Sequence, residues 1–202
     1  MPDARPNIIF LITDQHDMLL PTVRSRCQHV RFRLLDEKSM SEWFKRAQLE
    51  VSGDELEWIR EFADGSPGQA QLAAEYKLYE WQQTLDPLVH ALERGQPATE
   101  LGPTLGTLVE GFAQAWVKAH ANASKEAANR DGTARLLFLL ASLARRRAAE
   151  AMAQGKPSEP WLQLIDTIAF TEREIDANVN MKLALESLAV QWGELVATSN
   201  VG

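Results

Sequence analysis

Apolar and polar positions alternate differently in the two ends of this chain. Residues 7–13, Asn-Ile-Ile-Phe-Leu-Ile-Thr, are an unbroken run rich in β-branched and aromatic side chains, which predicts a strand covered on both faces. Val30 and Phe32 alternate with His29, Arg31 and Arg33, which predicts a second strand over 28–33. Between them, Pro21 interrupts the chain and predicts a turn or a short helix. Beyond residue 33 the period becomes helical. Residues 39–48 predict one helix. A second begins near Ser52, which is placed to cap it, with Glu55 bonding back and Val51 and Leu56 forming a hydrophobic staple. Leu56, Ile59, Phe62 and Ala63 give that helix one apolar face, and Gly65 ends it. Ser66 is placed to cap the next helix, with Pro67 at its first position and Gln69 at its third.

The remainder is helical in pattern to the end. Asp86-Pro87 predicts a helix start, and Gly95 with Pro97 its end. Leu105, Leu108, Phe112 and Trp116 recur at helical spacing. Residues 133–155 are rich in the strong helix formers Ala, Leu and Arg and close at Gly155. A helix over 158–176 follows. Met181, Leu185, Leu188, Trp192 and Leu195 form the stripe of a last helix, capped by Asn178 or Asn180. A change of composition at 83–87 predicts a boundary. The fold class expected is mainly α. Residues 1–33 read as the two-stranded tail of a parallel α/β domain, 34–83 as a small three-helix domain, and 84–202 as an all-α domain.

Composition narrows the function. The 202 residues are 45% hydrophobic and 24% charged, as in a globular protein, and the formal charge of −7 disfavours a surface built wholly for nucleic acid. One cysteine excludes an internal disulfide and a cysteine-rich zinc site. The four histidines, His16, His29, His90 and His120, lack the spacing of metal ligands, so no metal and no cofactor is expected. The longest apolar run, 136–144, is too short to span a bilayer. With no signal peptide ahead of the first strand, the expected location is cytoplasmic and no membrane contact is expected.

Chemistry concentrates at Arg24, Arg26, Arg31 and Arg33, around Cys27. Three readings stand on spacing alone. The arginines are ordinary solvated charges; or one offers a guanidinium fork to an anion; or Arg26 activates the Cys27 thiol, although no base accompanies it. Residues 7–32, "NIIFLITDQHDMLLPTVRSRCQHVRF", resemble the end of the ATPase domain in clamp-loader subunits of the AAA+ class. The resemblance implies that Thr13 lies near the sensor-1 position. It makes Ser25-Arg26-Cys27 the Ser-Arg-Cys motif, with Arg26 an arginine finger acting in trans on a neighbour's γ-phosphate, and Ser25 and Cys27 its motif neighbours. A guanidinium there stabilises charge developing on the transferred phosphoryl group. Residues 62–70, "FADGSPGQA", resemble the start of the third lid-domain helix. Gly68, beside Gln69, stands where ATP-hydrolysing relatives carry a sensor-2 arginine, as in the delta-prime type. Residues 174–192 resemble the closing helix of the collar domain.

The resemblance therefore implies the end of an AAA+ ATPase domain (1–33), a lid (34–83) and an oligomerising collar (84–202). The implied partners are a gamma/tau-like ATPase subunit and delta, with the sliding clamp and primer-template DNA reached through the complex of the DNA polymerase III holoenzyme. No G-x-x-x-x-G-K-[ST] loop occurs in the sequence, nor an apolar strand closing on acidic residues, so no ATPase activity is expected of this chain alone. The family's amino-terminal portion is expected to be missing. Two other readings remain: the C-terminal part of an active, gamma/tau-like ATPase, and a stand-alone helical scaffold. Ala144-Arg145-Arg146-Arg147 reads as a solvated face or as a DNA-facing patch. The stripe from Met181 to Trp192 reads as core or subunit interface, and the six tryptophans as packing between helices.

Overall fold

The computed structural model describes residues 8–13, 15–120 and 122–199, and groups the chain into two units, 1–34 and 35–202. Among the described residues there is no strand, and the structure is mainly α.

In the first unit, a 3-10 turn at His16–Met18 and helix α1, Pro21–Arg24, are the only regular elements described. The two-strand expectation is not met. Residues 8–13 and 28–33 have no regular structure, and Ile8, Ile9, Phe10, Ile12 and Phe32 are all more than three-quarters exposed. A strand needs a ladder partner for its N–H and C=O groups, and two strands alone make a marginal sheet. The backbone bonds of this unit close turns instead, such as the Met18 N–H to the Gln15 carbonyl at 3.0 Å.

In the second unit, α2 spans Glu37–Ala47 and is capped by Asp36, whose carboxylate accepts from the Ser39 N–H at 2.8 Å. That backbone bond, with a second from the Ser39 hydroxyl, holds the Asp36 carboxyl below its ordinary value. A depressed carboxyl stabilises the fold above its unfolded value, and the contribution is lost as pH falls through the folded one. In an NMR titration, Asp36 is expected to protonate at a lower pH than an aspartate in an unfolded chain, with the first-turn amides of α2 following it. An Asp36 midpoint in the ordinary range would remove the cap from that account.

Helix α3, Asp54–Ala63, starts one residue later than expected. Gly53 is its N-cap, at φ 59° and ψ −137°, and no side chain caps it. That glycine-specific turn puts Ser52 outside the helix, and the acidic residues Asp54, Glu55 and Glu57 face the positive end of the helix dipole instead. Helix α4, Pro67–Glu75, is built as its sequence implies: the Ser66 hydroxyl accepts from the Gln69 N–H and Pro67 occupies the first position. Lys77 then takes a left-handed conformation, and α5 runs Leu78–Glu93. Pro87 lies inside α5 instead of opening it. The helix is nucleated upstream by its buried face of Leu78, Trp81, Leu85, Val89 and Leu92, and burial of that face outweighs the one hydrogen bond the proline removes. Residues 83–87 are thus continuous helix, within the unit 35–202.

Four long helices complete the unit: α6, Leu101–Ala119; α7, Lys125–Ala153; α8, Glu159–Asp176; and α9, Met181–Ser199. Helix α7 starts well ahead of residue 133 because Ser124 caps it through the Ala127 N–H. Asn180 caps α9, accepting from the Leu183 N–H at 3.2 Å. Helix α6 packs on α7, α7 on α8, α8 on α9, and α9 back on α6. Short connections between successive helices make this an up-down four-helix arrangement. Its core holds Leu105, Leu136, Leu140, Leu164, Leu185, Leu188 and Trp192. The stripe expected on the last helix is therefore core at Leu185, Leu188 and Trp192. Helix α5 joins the arrangement against α6 and α9, while α3 and α4 pack together and on α5.

Candidate functional site

The Leu20-Pro21 step fixes the entry to α1. Leu20 is extended, as a residue before proline prefers, and Pro21 occupies the first helical position, where its missing N–H costs nothing. The Ser25 N–H donates to the Pro21 carbonyl at 3.0 Å, Arg26 N–H to Val23 at 3.1 Å and Cys27 N–H to Arg24 at 3.3 Å. The Ser25 hydroxyl donates to the Thr22 carbonyl at 3.3 Å. Three successive backbone bonds therefore set the Ser-Arg-Cys turn. Arg24 reaches back to Asp17 at 3.4 Å. The His16 ring stacks on His29 with centroids 4.3 Å apart, closing the turn on its other side.

Arg26 and Cys27 are exposed, and among the described residues Arg26 forms no ion pair. Arg31 and Arg33 are exposed too. The turn thus sorts its arginines: Arg24 belongs to a local pair, and the exposed Arg26 side chain has no ion pair among the described residues, so its guanidinium fork is available to an oxyanion. Ser25 is committed to the turn. Thr13 accepts from the Gln15 N–H at 3.0 Å, so its hydroxyl also has a local role.

The other singled-out residues lie elsewhere. Gly68 sits in the first turn of α4, with nothing within 4 Å of where a Cβ would stand. In the Ala144–Arg147 run, Ala144 is buried and two of the arginines are taken by carboxylates. Arg147 meets Glu93 at 3.0 Å and Glu150 at 3.1 Å. Arg146 meets Glu61 at 3.8 Å. These pairs tie α7 to α5 and α3 and neutralise charge that a DNA-facing patch would need. His90 completes the network against Glu93 at 2.9 Å.

A second polar cluster was not visible in the sequence. Phe112, Trp116 and His120 stack in succession along α6, with Tyr76 stacked on Phe112 and Trp116 and the Arg135 guanidinium over the Tyr76 ring. Desolvation, helped by a hydrogen bond to Asp131, raises the Tyr76 hydroxyl above its ordinary value, while Arg135 opposes the shift. Asp131 and Arg135 are themselves paired at 3.0 Å. The ladder brings Tyr76, just after α4, and α7 onto α6, so Trp116 serves packing between helices, as do Trp58 of α3 against Tyr79 of α5 and Trp81 of α5 against Phe112 of α6.

Between α9 and the α5–α6 loop lies an apolar groove of about 530 Å³. Among the described residues no His, Cys, Asp and Glu cluster could hold a metal ion, and no helix is long and apolar enough to cross a membrane. No family model, curated protein or solved structure matches the chain.

Proposed function

We propose that this chain acts as a delta-prime-like subunit of a DNA polymerase III clamp loader, lending Arg26 in trans to the nucleotide site of a neighbouring gamma/tau-like ATPase. The observation that carries the reading is Arg26 itself: exposed, without an ion pair among the described residues, and mounted on a turn closed by three backbone bonds beside a paired Arg24. In this reading residues 84–202 form the collar that assembles with the ATPase subunits and delta, and the sliding clamp and primer-template DNA are reached through the complex. Gly68, where ATP-hydrolysing relatives carry a sensor-2 arginine, favours a finger donor over an active ATPase half.

The test is reconstitution of the chain with its ATPase partner and delta, assembly being followed by native mass spectrometry and turnover by DNA-stimulated ATP hydrolysis. Arg26→Ala is expected to leave the complex assembled and to remove most of the hydrolysis. Unchanged hydrolysis in an intact complex rejects the finger role. Failure of the unaltered chain to form any complex favours the stand-alone scaffold.

A further inference from the structure

We propose that the groove between α9 and the α5–α6 loop receives a single helix from a partner protein, apolar on the face that enters and carrying Lys or Arg along its flanks. One wall is α9, where Ala189, Val190, Gly193 and Ala197 line the groove, Val190 and Ala197 exposed and Ala189 buried beneath. The other is the turn through Pro97 and Ala98 and the first turn of α6. Small residues make the floor. A Cβ on Gly102 would meet the Glu186 Cα at 3.0 Å, and one on Gly193 the Ala98 Cβ at 3.2 Å. Helix α9 is thus held close to α6 and to the loop, and the concavity above is open to side chains from outside. Val190 is 58% exposed there, and Leu183, two turns earlier on the same side of α9, is 63% exposed. A groove of this shape, walled by a helix, takes an amphipathic helix through anchors at i, i+3, i+4 and i+7.

Charge selects the occupant. Among the described residues, Glu186 and Glu194 line the groove and no Lys, Arg or His does. Among the described residues neither carboxylate is in an ion pair. They stand eight residues apart on one helix, so about 12 Å along its axis. A partner helix lying alongside α9 would meet both with basic residues spaced by about two turns. A second copy of this chain is a poor occupant. Residues 35–202 hold 16 Lys and Arg against 25 Asp and Glu, so two such bodies repel.

The full chain, labelled with nitrogen-15, is titrated with a Leu–Lys amphipathic peptide of about 18 residues, long enough for a stable apolar stripe, and with its Leu–Glu counterpart. The Leu–Lys peptide is expected to shift the amides of Gly95, Gly102, Ala189 and Gly193 first. The Leu–Glu peptide is expected to leave them unmoved. Glu186→Gln with Glu194→Gln, which changes charge but not size, is expected to weaken binding about five-fold and to flatten its salt dependence. Val190→Arg, on an exposed helical position, is expected to abolish binding with unchanged helix content. Shifts spread over the acidic surface, or affinity untouched by either variant, overturn the proposal. A homodimer of the free chain that Val190→Arg dissolves would place a second copy in the groove and overturn it as well.

Discussion

Trp192→Ala is expected to destabilise the 35–202 unit by about 4 kcal/mol, the range for removing a fully buried aromatic side chain. Trp192 is 0% exposed and lies in the shared core of the four long helices. Alanine there forfeits the transfer free energy of the indole and leaves a cavity that the surrounding helices, packed on both sides, cannot collapse into. A control separates packing from polarity. Among the described residues the buried Trp192 indole Nε1 has no hydrogen-bond partner, and such a group carries a desolvation cost of about 1–3 kcal/mol. Trp192→Phe removes that N–H along with part of the ring, and its net cost is expected to be below about 1.5 kcal/mol. Urea unfolding reads both: the midpoint drops sharply for alanine and slightly for phenylalanine, with the slope unchanged. Equal losses for the two variants would show that a hidden partner holds the indole.

For Arg26→Ala in the reconstituted loader, the expected loss of hydrolysis at the nucleotide site it is proposed to serve is about a thousand-fold, the lower end of what a finger arginine contributes. The reason is timing. A guanidinium already oriented by its turn meets charge that appears only in the transition state, so it accelerates chemistry without tightening nucleotide binding. Arg26→Lys is expected to recover only a small part, because an ammonium cannot make the planar two-donor contact. Arg24→Ala is the comparison: Arg24 is engaged with Asp17 on the surface, and losing such a pair costs little. Equal losses for Arg24→Ala and Arg26→Ala would make the turn, not one guanidinium, the sensitive feature.

Side chains that act on their own neighbourhood were readable from the sequence. Ser66 and Asn180 cap the helices their spacing implies, because a cap is a contact over three residues. The stripe of Leu185, Leu188 and Trp192 went inside because burial follows a local period. Failures came where the outcome depends on something distant. The run at 8–12 has every intrinsic preference of a strand, yet strand formation is decided by a partner, and none is described. Pro87 was a good helix opener by composition, but the buried face reaching back to Leu78 decided where α5 begins. Gly53 displaced Ser52 through a backbone conformation that composition does not announce. At the candidate site, Arg26 was found through a motif; its exposure and the pairing of Arg24 needed coordinates. The groove could not be read at all, since its walls come from residues near 97, near 102 and near 190.

The first unit has no buried residue among those described, and its backbone bonds close only single turns. Such a segment opens at a lower free-energy cost than helices packed in a core. Trypsin at low dose should therefore cleave first after Arg24, Arg26, Arg31 or Arg33, long before any lysine or arginine of helices α2 to α9, and release a resistant fragment beginning close to Leu34. The arginine proposed to serve another enzyme would be among the first bonds a protease finds, and the chain could lose its finger while its helical body stayed folded.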